Sequence, residues 1–394
     1  MSTPAAFYNN AVDLNRFSNK VARQIIRTYN DVILDAVGQL AALDDMTAPM
    51  RAARLRAILA DLKQSLDGWA GDATALTVAE LQGLAVLQTE FVQEELRKAL
   101  PLNARDQVRS VQVSPGFAQA VAVTDPTAIN VVALSDDLQA AVTGAPAVFR
   151  LDAAKGATIT LPNGKVLEKA FRGISTDNTE MFGRVVRNGL IQGKSLDRIS
   201  RELRGRVRFG QPGSAREIAR YGGDATKMAN HQLLTLVRTS VNQVANAASQ
   251  ASYRANQNVT KRYRYTAALD NRTSAICRAL DGREFEYGKG PTPPQHFNCR
   301  STTVPIVDYE SLGVEPPPRS DVIEDRQTYG EWLAGQAAER KADILGSARR
   351  AKIFDKFAEK VGPMEAIRRF VREDGSEMSL ADLERRLKRT KGNG

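Results

Sequence analysis

The chain has 394 residues, a formal net charge of +10 and a hydrophobic content of 42%, with few aromatic residues. This length exceeds what one ordinary core accommodates, so about two or three domains are expected, and the abundance of Ala, Leu and Val favours helices. Two cysteines exclude a disulfide-built fold, no apolar run approaches the roughly 18 residues of a membrane span, and residues 1–20 do not form a signal peptide. The protein is therefore expected to be made in a cytoplasm, and its basic charge favours nucleic acid or an acidic protein surface as a neighbour.

Three amphipathic helices are predicted in residues 1–105. Apolar side chains recur at steps of three and four residues from Phe17 to Leu40, and again from about Arg51 to Trp69. The third helix is predicted to begin with a capping box at Thr77–Glu80, in which each end residue satisfies a backbone donor of the other, and to end before Pro101. Together these helices predict a hairpin or small bundle with a packing role.

A β-containing connector is predicted at 106–174, where Pro and Gly residues interrupt any helical period. Short β-prone pieces lie at 111–113, 121–123 and 129–134. The β-prone residues 157–161 and 165–167 flank Pro162-Asn163-Gly164, and because Asn-Gly is the strongest short hairpin signal, a β-hairpin is predicted there. The rest of the connector is expected to be long and loosely ordered.

Helical patterns return from about Thr176 to Asn188, closed by Gly189. Ser195 is a predicted N-cap for a further helix, which is followed by an Arg- and Gly-rich loop at 204–210. A long helix is then predicted from about Asp224 to Asn256, with its apolar residues facing inward.

The C-terminal part, 309–394, is predicted to be a linker followed by a charged helical tail. Pro316-Pro317-Pro318 predicts a stiff linker, and the last sixty or so residues are only weakly apolar. The tail ends in a basic run, Arg385 to Arg389 and Lys391. Such a run is usually a solvated helix face, and contact with nucleic acid or an acidic partner is the alternative.

Both cysteines and one of the two histidines of the chain fall between Arg262 and Pro305. Cys277, His296 and Cys299 are candidate Zn²⁺ ligands, because a His-x-x-Cys turn presents two ligands on one side of a metal. Asp270, His231 or a water molecule would have to supply the fourth ligand. The alternative is a β-rich turn module in which the two cysteines are small buried hydrophobic residues. We expect no other cofactor.

Two enzymatic interpretations receive little support from the residues. A nucleophilic Cys277–His296 pair would need a third group that orients the histidine, and no recognisable signature of such a pair is present. A nuclease would need a carboxylate cluster to hold Mg²⁺, and none is evident near these residues. No catalytic residue is therefore predicted, and the protein is expected not to be an enzyme.

The order of motifs in this region resembles the phage head-morphogenesis domain typified by the F protein of phage Mu. The resemblance covers roughly residues 176–306. It also includes a preceding helix, where Arg238-Thr239 is followed by Asn242, Asn246 and Tyr253. The residues that carry the resemblance in the cysteine-containing part are Asp270, Arg272, Thr273, Cys277, Leu280-Asp281-Gly282, Pro293, His296, Cys299, Arg300 and Pro305.

The chain departs from the family pattern at three positions. Ser274 and Ser301 stand where members often have further cysteines, and Ser240 stands where the helix motif usually has a glutamate. These departures weaken a four-cysteine metal site and a catalytic role, and they favour a module whose motif residues hold its shape. We expect Asp270 and Arg272 to pair or to cap the following turn, and Arg300 to brace the sheet, since buried charged groups need partners.

The resemblance implies a minor head protein of a tailed bacteriophage that acts in head assembly at the portal vertex or inside the capsid. Expected partners are the portal protein, the major capsid protein, or both, with several copies in each virion and packaged DNA near the basic segments. The alternative is an internal protein that is packaged and ejected with the genome. The virion head is the expected location.

The predicted fold class is α+β and mostly helical. Its predicted domains are a helical N-terminal region (1–105), a β-containing connector with a hairpin (106–174), a domain like that of the Mu F protein with a small β-rich C-terminal module (175–308), and a linker with a basic helical tail (309–394).

Overall fold

A computed structural model of the chain describes residues 3–43, 47–119, 129–135, 137–143, 147–153, 161–205, 223–316 and 327–389. Within these ranges the protein is mostly helical and carries two small three-stranded sheets. The predicted α+β class is therefore confirmed. None of the described helices combines the length and the apolar character needed to cross a membrane.

The described helices and strands follow one another as a helical first part, a small sheet, a helical middle, a second sheet and a helical end. The α-helices are α1 (Thr3–Ala41), α2 (Ala48–Ala99), α3 (Asp137–Thr143), α4 (Leu167–Ile191), α5 (Leu196–Arg204), α6 (Asp224–Ala255), α7 (Ala275–Leu280), α8 (Tyr309–Leu312), α9 (Tyr329–Ala334), α10 (Ala338–Leu345), α11 (Ala348–Val361), α12 (Pro363–Arg368) and α13 (Leu380–Arg389). The strands are β1 (Ser110–Val113), β2 (Ile129–Ser135), β3 (Val148–Ala153), β4 (Thr260–Thr266), β5 (Glu284–Glu286) and β6 (Thr302–Val307).

The N-terminal region contains two long helices, so the prediction of three was wrong. The second and third predicted helices are one continuous helix, α2. The capping box at Thr77–Glu80 was also wrong, because the Thr77 hydroxyl lies inside α2 and donates to the carbonyl of Ala73. Ala70 and Ala73 are buried in the same core as Leu66 and Leu81. Burial along this continuous stripe outweighs the low helix propensity of the glycines between them.

The connector contains an ordered sheet in the strand order β1-β3-β2, with β1 parallel and β2 antiparallel to β3. Val111, Phe117 and Leu151 are buried against the helices. Val111 lies in a predicted β-prone piece, whereas Phe117 and Leu151 lie in the part expected to be loosely ordered, so that expectation was wrong for these two residues. The predicted strand at 121–123 lies outside the described residues. Neither β3 nor α3 was predicted.

The predicted hairpin is only partly present. The turn forms, since the Leu161 amide donates to the carbonyl of Lys165 and Gly164 has a φ of 77°. The second strand was wrong, because α4 begins at Leu167, earlier than the predicted start near Thr176. Residues 157–160, which make up most of the first strand, lie outside the described residues.

One large core joins α1, α2, α4, α5 and α6 to the first sheet. Ser195 caps α5 as predicted, accepting from the amide of Arg198 at 3.2 Å. Helix α6 matches its predicted extent to within one residue. The basic loop at 206–210 lies outside the described residues, and the predicted domain limits stay predictions.

The C-terminal helices have a hydrophobic core of their own, so their description as weakly apolar was wrong. Phe354, Phe357, Phe370 and Leu383 are buried within it. The apolar residues are spread over short helices, and no single helix shows a long hydrophobic period. Residues 317–326, which include most of the proline linker, and 390–394, which include Lys391, lie outside the described residues.

Replacing glycine by alanine should have opposite effects on the free energy of unfolding at two positions. Gly83 lies on the exposed face of α2, and a Cβ there would meet no atom within 4 Å. Gly83→Ala should therefore raise the free energy of unfolding by about 0.5–1 kcal/mol, because alanine loses less backbone entropy in a helix. Chemical denaturation of the full chain measures this change.

Gly330→Ala is the matched comparison. Its Cβ would lie 2.6 Å from backbone atoms of Pro363 and Met364, so α9 and α12 would have to move apart. We expect a loss of about 1–3 kcal/mol. Equal effects of the two substitutions would contradict this account of the helix packing.

Candidate metal centre and the motif residues around it

The second sheet is the frame that carries the predicted site. Its strand order is β5-β4-β6, and both neighbours of β4 are antiparallel to it. Tyr263 in β4 lies opposite Phe285 on one side and opposite Pro305 on the other. Tyr263 and Tyr265 are both fully buried. The predicted β-rich module is thus present, and Pro305 lies in its strand β6.

Helix α6 holds the segment that leads into β6 through a row of polar side chains at helical spacing. Thr239 accepts the amide of Asn298 at 3.0 Å, and Asn242 donates to the carbonyl of Ser301 at 2.9 Å. Tyr253 donates to the carbonyl of Thr303 at 3.0 Å. The polar residues of the family's helix motif therefore fix the chain on both sides of Cys299.

Arg238 of the same motif points elsewhere. Its Nε and Nη2 atoms donate to the Oδ1 atom of Asn19 at 2.9 and 2.7 Å. Partial burial lowers the pKa of this guanidinium group, and the positive charges of Arg272 and Arg300 lower it further. Arg238 therefore joins α6 to α1.

Asp270 organises the turn after β4. Its carboxylate forms an ion pair with Arg300 and accepts the backbone amide of Arg272 at 2.9 Å. The Thr273 hydroxyl donates to the carbonyl of Ala268 and lies 3.3 Å from the same carboxylate. The side-chain partner of Asp270 is thus Arg300, and Arg272 contributes its backbone amide.

The electrostatics of Asp270 follow from that ion pair. Partial burial raises the pKa of the carboxyl group, but the hydrogen bond and the positive charge of Arg300 outweigh this effect. The net result is a pKa of about 2, below the ordinary value of 3.8.

Asp281 and Gly282 make the second tight turn of the motif. The buried Asp281 carboxylate accepts the amide of Ala267 and the amide of Tyr329, each at 2.7 Å. Gly282 has a φ of 73° and donates its amide to the carbonyl of Tyr265. Because a left-handed residue without a Cβ suits this turn, Gly282 has a backbone role.

Cys277, His296 and Cys299 come together as predicted. Cys277 lies on α7, and the other two lie in the segment before β6. The Cys277 Sγ atom lies 3.8 Å from the Cys299 Sγ atom and 3.3 Å from the His296 Nε2 atom. All three potential ligand atoms lie within 4.8 Å of one another. Both cysteines are buried, and the histidine is partly buried.

A hydrogen bond between the two thiols shifts their pKa values in opposite directions. Together with burial, this bond raises the pKa of Cys277 to about 12. The same bond lowers the pKa of Cys299 to about 6, although burial opposes the shift. A hydrogen bond with Cys277 also raises the pKa of His296.

Two residues of the site were missed by sequence reasoning. Ser274 caps α7, and its Oγ atom lies 2.8 Å from the His296 Nε2 atom. The Tyr265 hydroxyl lies 3.3 Å from the Cys277 Sγ atom. Ser274 and Cys277 have the spacing of an N-cap and the third residue of a helix. This spacing is a signal that could have revealed the cap at Ser274.

The two protein side chains suggested as a fourth ligand do not join the cluster. Among the described residues, the group of possible ligands comprises Cys277, His296 and Cys299. Both carboxylate oxygens of Asp270 are bound to Arg300, and His231 is an exposed residue of α6.

A small cavity adjoins the cluster. Its lining includes Arg272, Ser274, Asn298 and Arg300, and its volume is about 10 Å³. A space of this size accommodates about one water molecule.

The Asp270–Arg300 ion pair predicts a specific acid sensitivity. Since the folded-state pKa lies below the unfolded value, the pair stabilises the fold above about pH 4, and this contribution is lost as the pH falls towards 2. The loss should be at most about 2 kcal/mol, and smaller to the extent that water screens the pair. Asp270→Asn should flatten the dependence of unfolding free energy on pH between 5 and 2, measured by chemical denaturation.

Asp13→Asn is the control for that measurement. Asp13 pairs with Arg16 on the surface of α1, where the Asp13 side chain is 67% exposed. The control should keep the acid profile of the unchanged protein. An Asp270→Asn profile that also matches the unchanged protein would contradict the assigned role.

One comparison with known protein families identifies a match in the middle of the chain. Residues 180–304 match the family model described as "Phage Mu protein F like protein". A protein of Enterococcus faecalis (strain ATCC 700802 / V583), named NAD(+)--arginine ADP-ribosyltransferase EFV, is 25% identical over 142 residues, which are 32% of this chain and 29% of that protein.

An uncharacterized protein of Haemophilus influenzae is 33% identical over 76 residues, which are 18% of this chain and 17% of that protein. The chain thus spans less than a third of the length of each of these relatives. No solved structure matches the chain. The motif residues predicted from the sequence, from Arg238 to Arg300, lie within the family match, which supports the predicted resemblance of residues 180–304 to the family of Phage Mu protein F-like proteins.

Proposed function

We propose that the protein is a minor head protein of a tailed bacteriophage that acts in head assembly at the portal vertex or inside the capsid. The observation that carries this proposal is the family match over residues 180–304. The portal protein, the major capsid protein, or both are the proposed partners, with several copies in each virion head.

The contacts of the motif residues support a structural role. Asp270 and Arg300 bind each other, Asp281 binds two backbone amides, and Thr239 binds the amide of Asn298. These polar groups are used to hold segments of the chain together. A module built in this way presents a fixed shape to a neighbouring protein.

The size of the cavity beside Cys277 and His296 supports a role without catalysis. A volume of about 10 Å³ is far below the roughly 300 Å³ or more of ordinary ligand pockets. The name of the enterococcal relative refers to a whole protein of which the match covers 29%. The proposal therefore does not adopt the activity in that name.

Purified heads test the proposal directly. Mass spectrometry should detect this chain in intact heads at a copy number well below that of the major capsid protein. A phage that lacks the gene should assemble fewer normal heads, and supplying the gene in trans should restore them. Heads that never contain the chain, or that assemble equally well without it, would contradict the proposal.

An internal, DNA-associated protein is the second candidate, and the surface of the C-terminal helices favours it. Arg349, Lys352 and Lys356 follow one another at helical spacing on α11, and all three are exposed. Lys388 and Arg389 are exposed on α13, which packs against α11. Some of the charge has a local role, since Arg349 and Arg385 pair with Glu384 and Asp382.

Duplex binding as a function of salt tests this candidate. Each phosphate contact that is lost should reduce the slope of log affinity against log salt by about 0.9, so Lys352→Ala/Lys356→Ala should reduce it by about 2. Lys20→Ala/Lys169→Ala removes the same charge from exposed positions on α1 and α4 and should leave the slope closer to that of the unchanged protein. Equal slopes for both double variants, or no duplex binding at low salt, would contradict this candidate.

A further inference from the structure

We propose that Cys277, His296 and Cys299 bind one Zn²⁺ ion, with a water molecule beside Ser274 as the fourth ligand. The inference rests on the geometry of the cluster and does not depend on the proposed role in the phage head. A failure of either proposal therefore leaves the other in place.

The spacing of the sulfur atoms fits a tetrahedral zinc ion. With Zn–S bonds of about 2.3 Å, two thiolates on a tetrahedral ion lie roughly 3.8 Å apart, and a thiolate and an imidazole nitrogen lie roughly 3.6 Å apart. The observed separations are 3.8 Å between the two Sγ atoms and 3.3 Å between Cys277 Sγ and His296 Nε2. The Cys299 Sγ atom and the His296 nitrogen lie within 4.8 Å of each other, so modest movements of the side chains would bring all three ligands around one ion.

The histidine presents the nitrogen that a metal needs. Its Nδ1 atom lies 2.8 Å from the carbonyl oxygen of Phe297, which can only accept a hydrogen bond. Nδ1 therefore carries the proton, and Nε2 keeps its lone pair, with the Ser274 Oγ atom at 2.8 Å and the Cys277 Sγ atom at 3.3 Å. Zinc-bound histidines commonly donate the other ring N–H to a backbone carbonyl in this way, which fixes the orientation of the ring.

The surrounding structure holds the ligands in place before any ion binds. Ser274 caps the helix that carries Cys277, and the Cys299 amide donates to the carbonyl of His296 in a tight turn. Asn242 and Thr239 of α6 fix the residues on either side of Cys299. Pre-formed ligands reduce the ordering cost of binding.

The fourth position has room for one small ligand. The cavity of about 10 Å³ beside the cluster is lined by Ser274, Arg272 and Arg300, among others. Two thiolates and a neutral imidazole balance the charge of Zn²⁺, so a neutral water molecule leaves the centre uncharged. Ser274 lies close enough to hydrogen-bond with that water. A substitution at this position can therefore place a stronger ligand beside the ion.

Metal binding by the full chain is the first test. Protein freed of metal by a chelator under reducing conditions should take up one Zn²⁺ per chain and lose the reactivity of both thiols towards a thiol reagent. Co²⁺ in place of Zn²⁺ should give thiolate charge-transfer absorption and the visible bands of a tetrahedral site. Reduced protein that binds no Zn²⁺, or whose thiols react equally fast with and without it, would overturn the proposal.

Ligand variants identify the site. Cys277→Ser, Cys299→Ser and His296→Gln should each weaken Zn²⁺ binding at least about 100-fold, since loss of a group that only hydrogen-bonds to a metal ligand already costs about 10–100-fold. The matched control is His231→Gln, which changes the other histidine of the chain and should leave affinity unaltered. A control variant that loses as much affinity as the ligand variants would overturn the assignment.

A gain-of-affinity variant keeps the test independent of folding defects. Ser274→Cys places a third thiolate beside His296 and should tighten Zn²⁺ binding about tenfold or more, because it completes a closed four-ligand site. It should also shift the cobalt spectrum towards that of a three-thiolate site. Unchanged affinity and an unchanged spectrum would contradict the proposed fourth position.

Discussion

The row of polar side chains on helix α6 is the constraint on which the middle of the molecule depends. This helix is buried against α1, α2 and α4, yet it carries Thr239, Asn242, Gln250 and Tyr253. Burying such groups is favourable only when they find partners, and each of these side chains finds one in the segment from Asn298 to Thr303. The position of β6, and with it the positions of Cys299 and Arg300, is therefore fixed by hydrogen bonds as well as by apolar packing.

Sequence reasoning succeeded where one local pattern determines one local structure. The long inward face of α6 and the cap at Ser195 both depend on neighbours within a few positions. It failed where packing between distant segments decides the outcome. Gly68 and Gly71 suggest a break, but α2 continues because the core of α1 and α6 buries the residues around them.

The same distinction applies to the candidate site. The proximity of Cys277, His296 and Cys299 could be predicted because all three lie within one short stretch of chain. The hydrogen bond from the Tyr329 amide to the Asp281 carboxylate could not be predicted, because the two residues are 48 positions apart and belong to different segments. The aromatic core of the C-terminal helices was missed for a related reason, since its residues are distributed over several helices and come together only through their packing.

The three serines that depart from the family pattern lie at positions that suit a small polar side chain. Ser240 is fully buried and donates to the carbonyl of Leu236, a position where a glutamate would need a buried partner for its charge. Ser274 caps α7, and Ser301 is buried next to Cys299, where Asn242 binds its carbonyl. The cysteines that other members often have at the last two positions would thus lie beside Cys277 and Cys299.

The C-terminal helices complete the support of this module from another side. Arg278 is almost fully buried, donates to the carbonyls of Thr273 and Ile344, and lies over the ring of Tyr329. The Tyr329 hydroxyl in turn donates to the carbonyl of Asp270. Helix α7, which carries Cys277, is therefore held by α9 and α10, while the segment that carries Cys299 is held by α6. The two halves of the Cys277–His296–Cys299 cluster are thus anchored to different parts of the protein. An ion bound by all three residues would also join the C-terminal helices to α6.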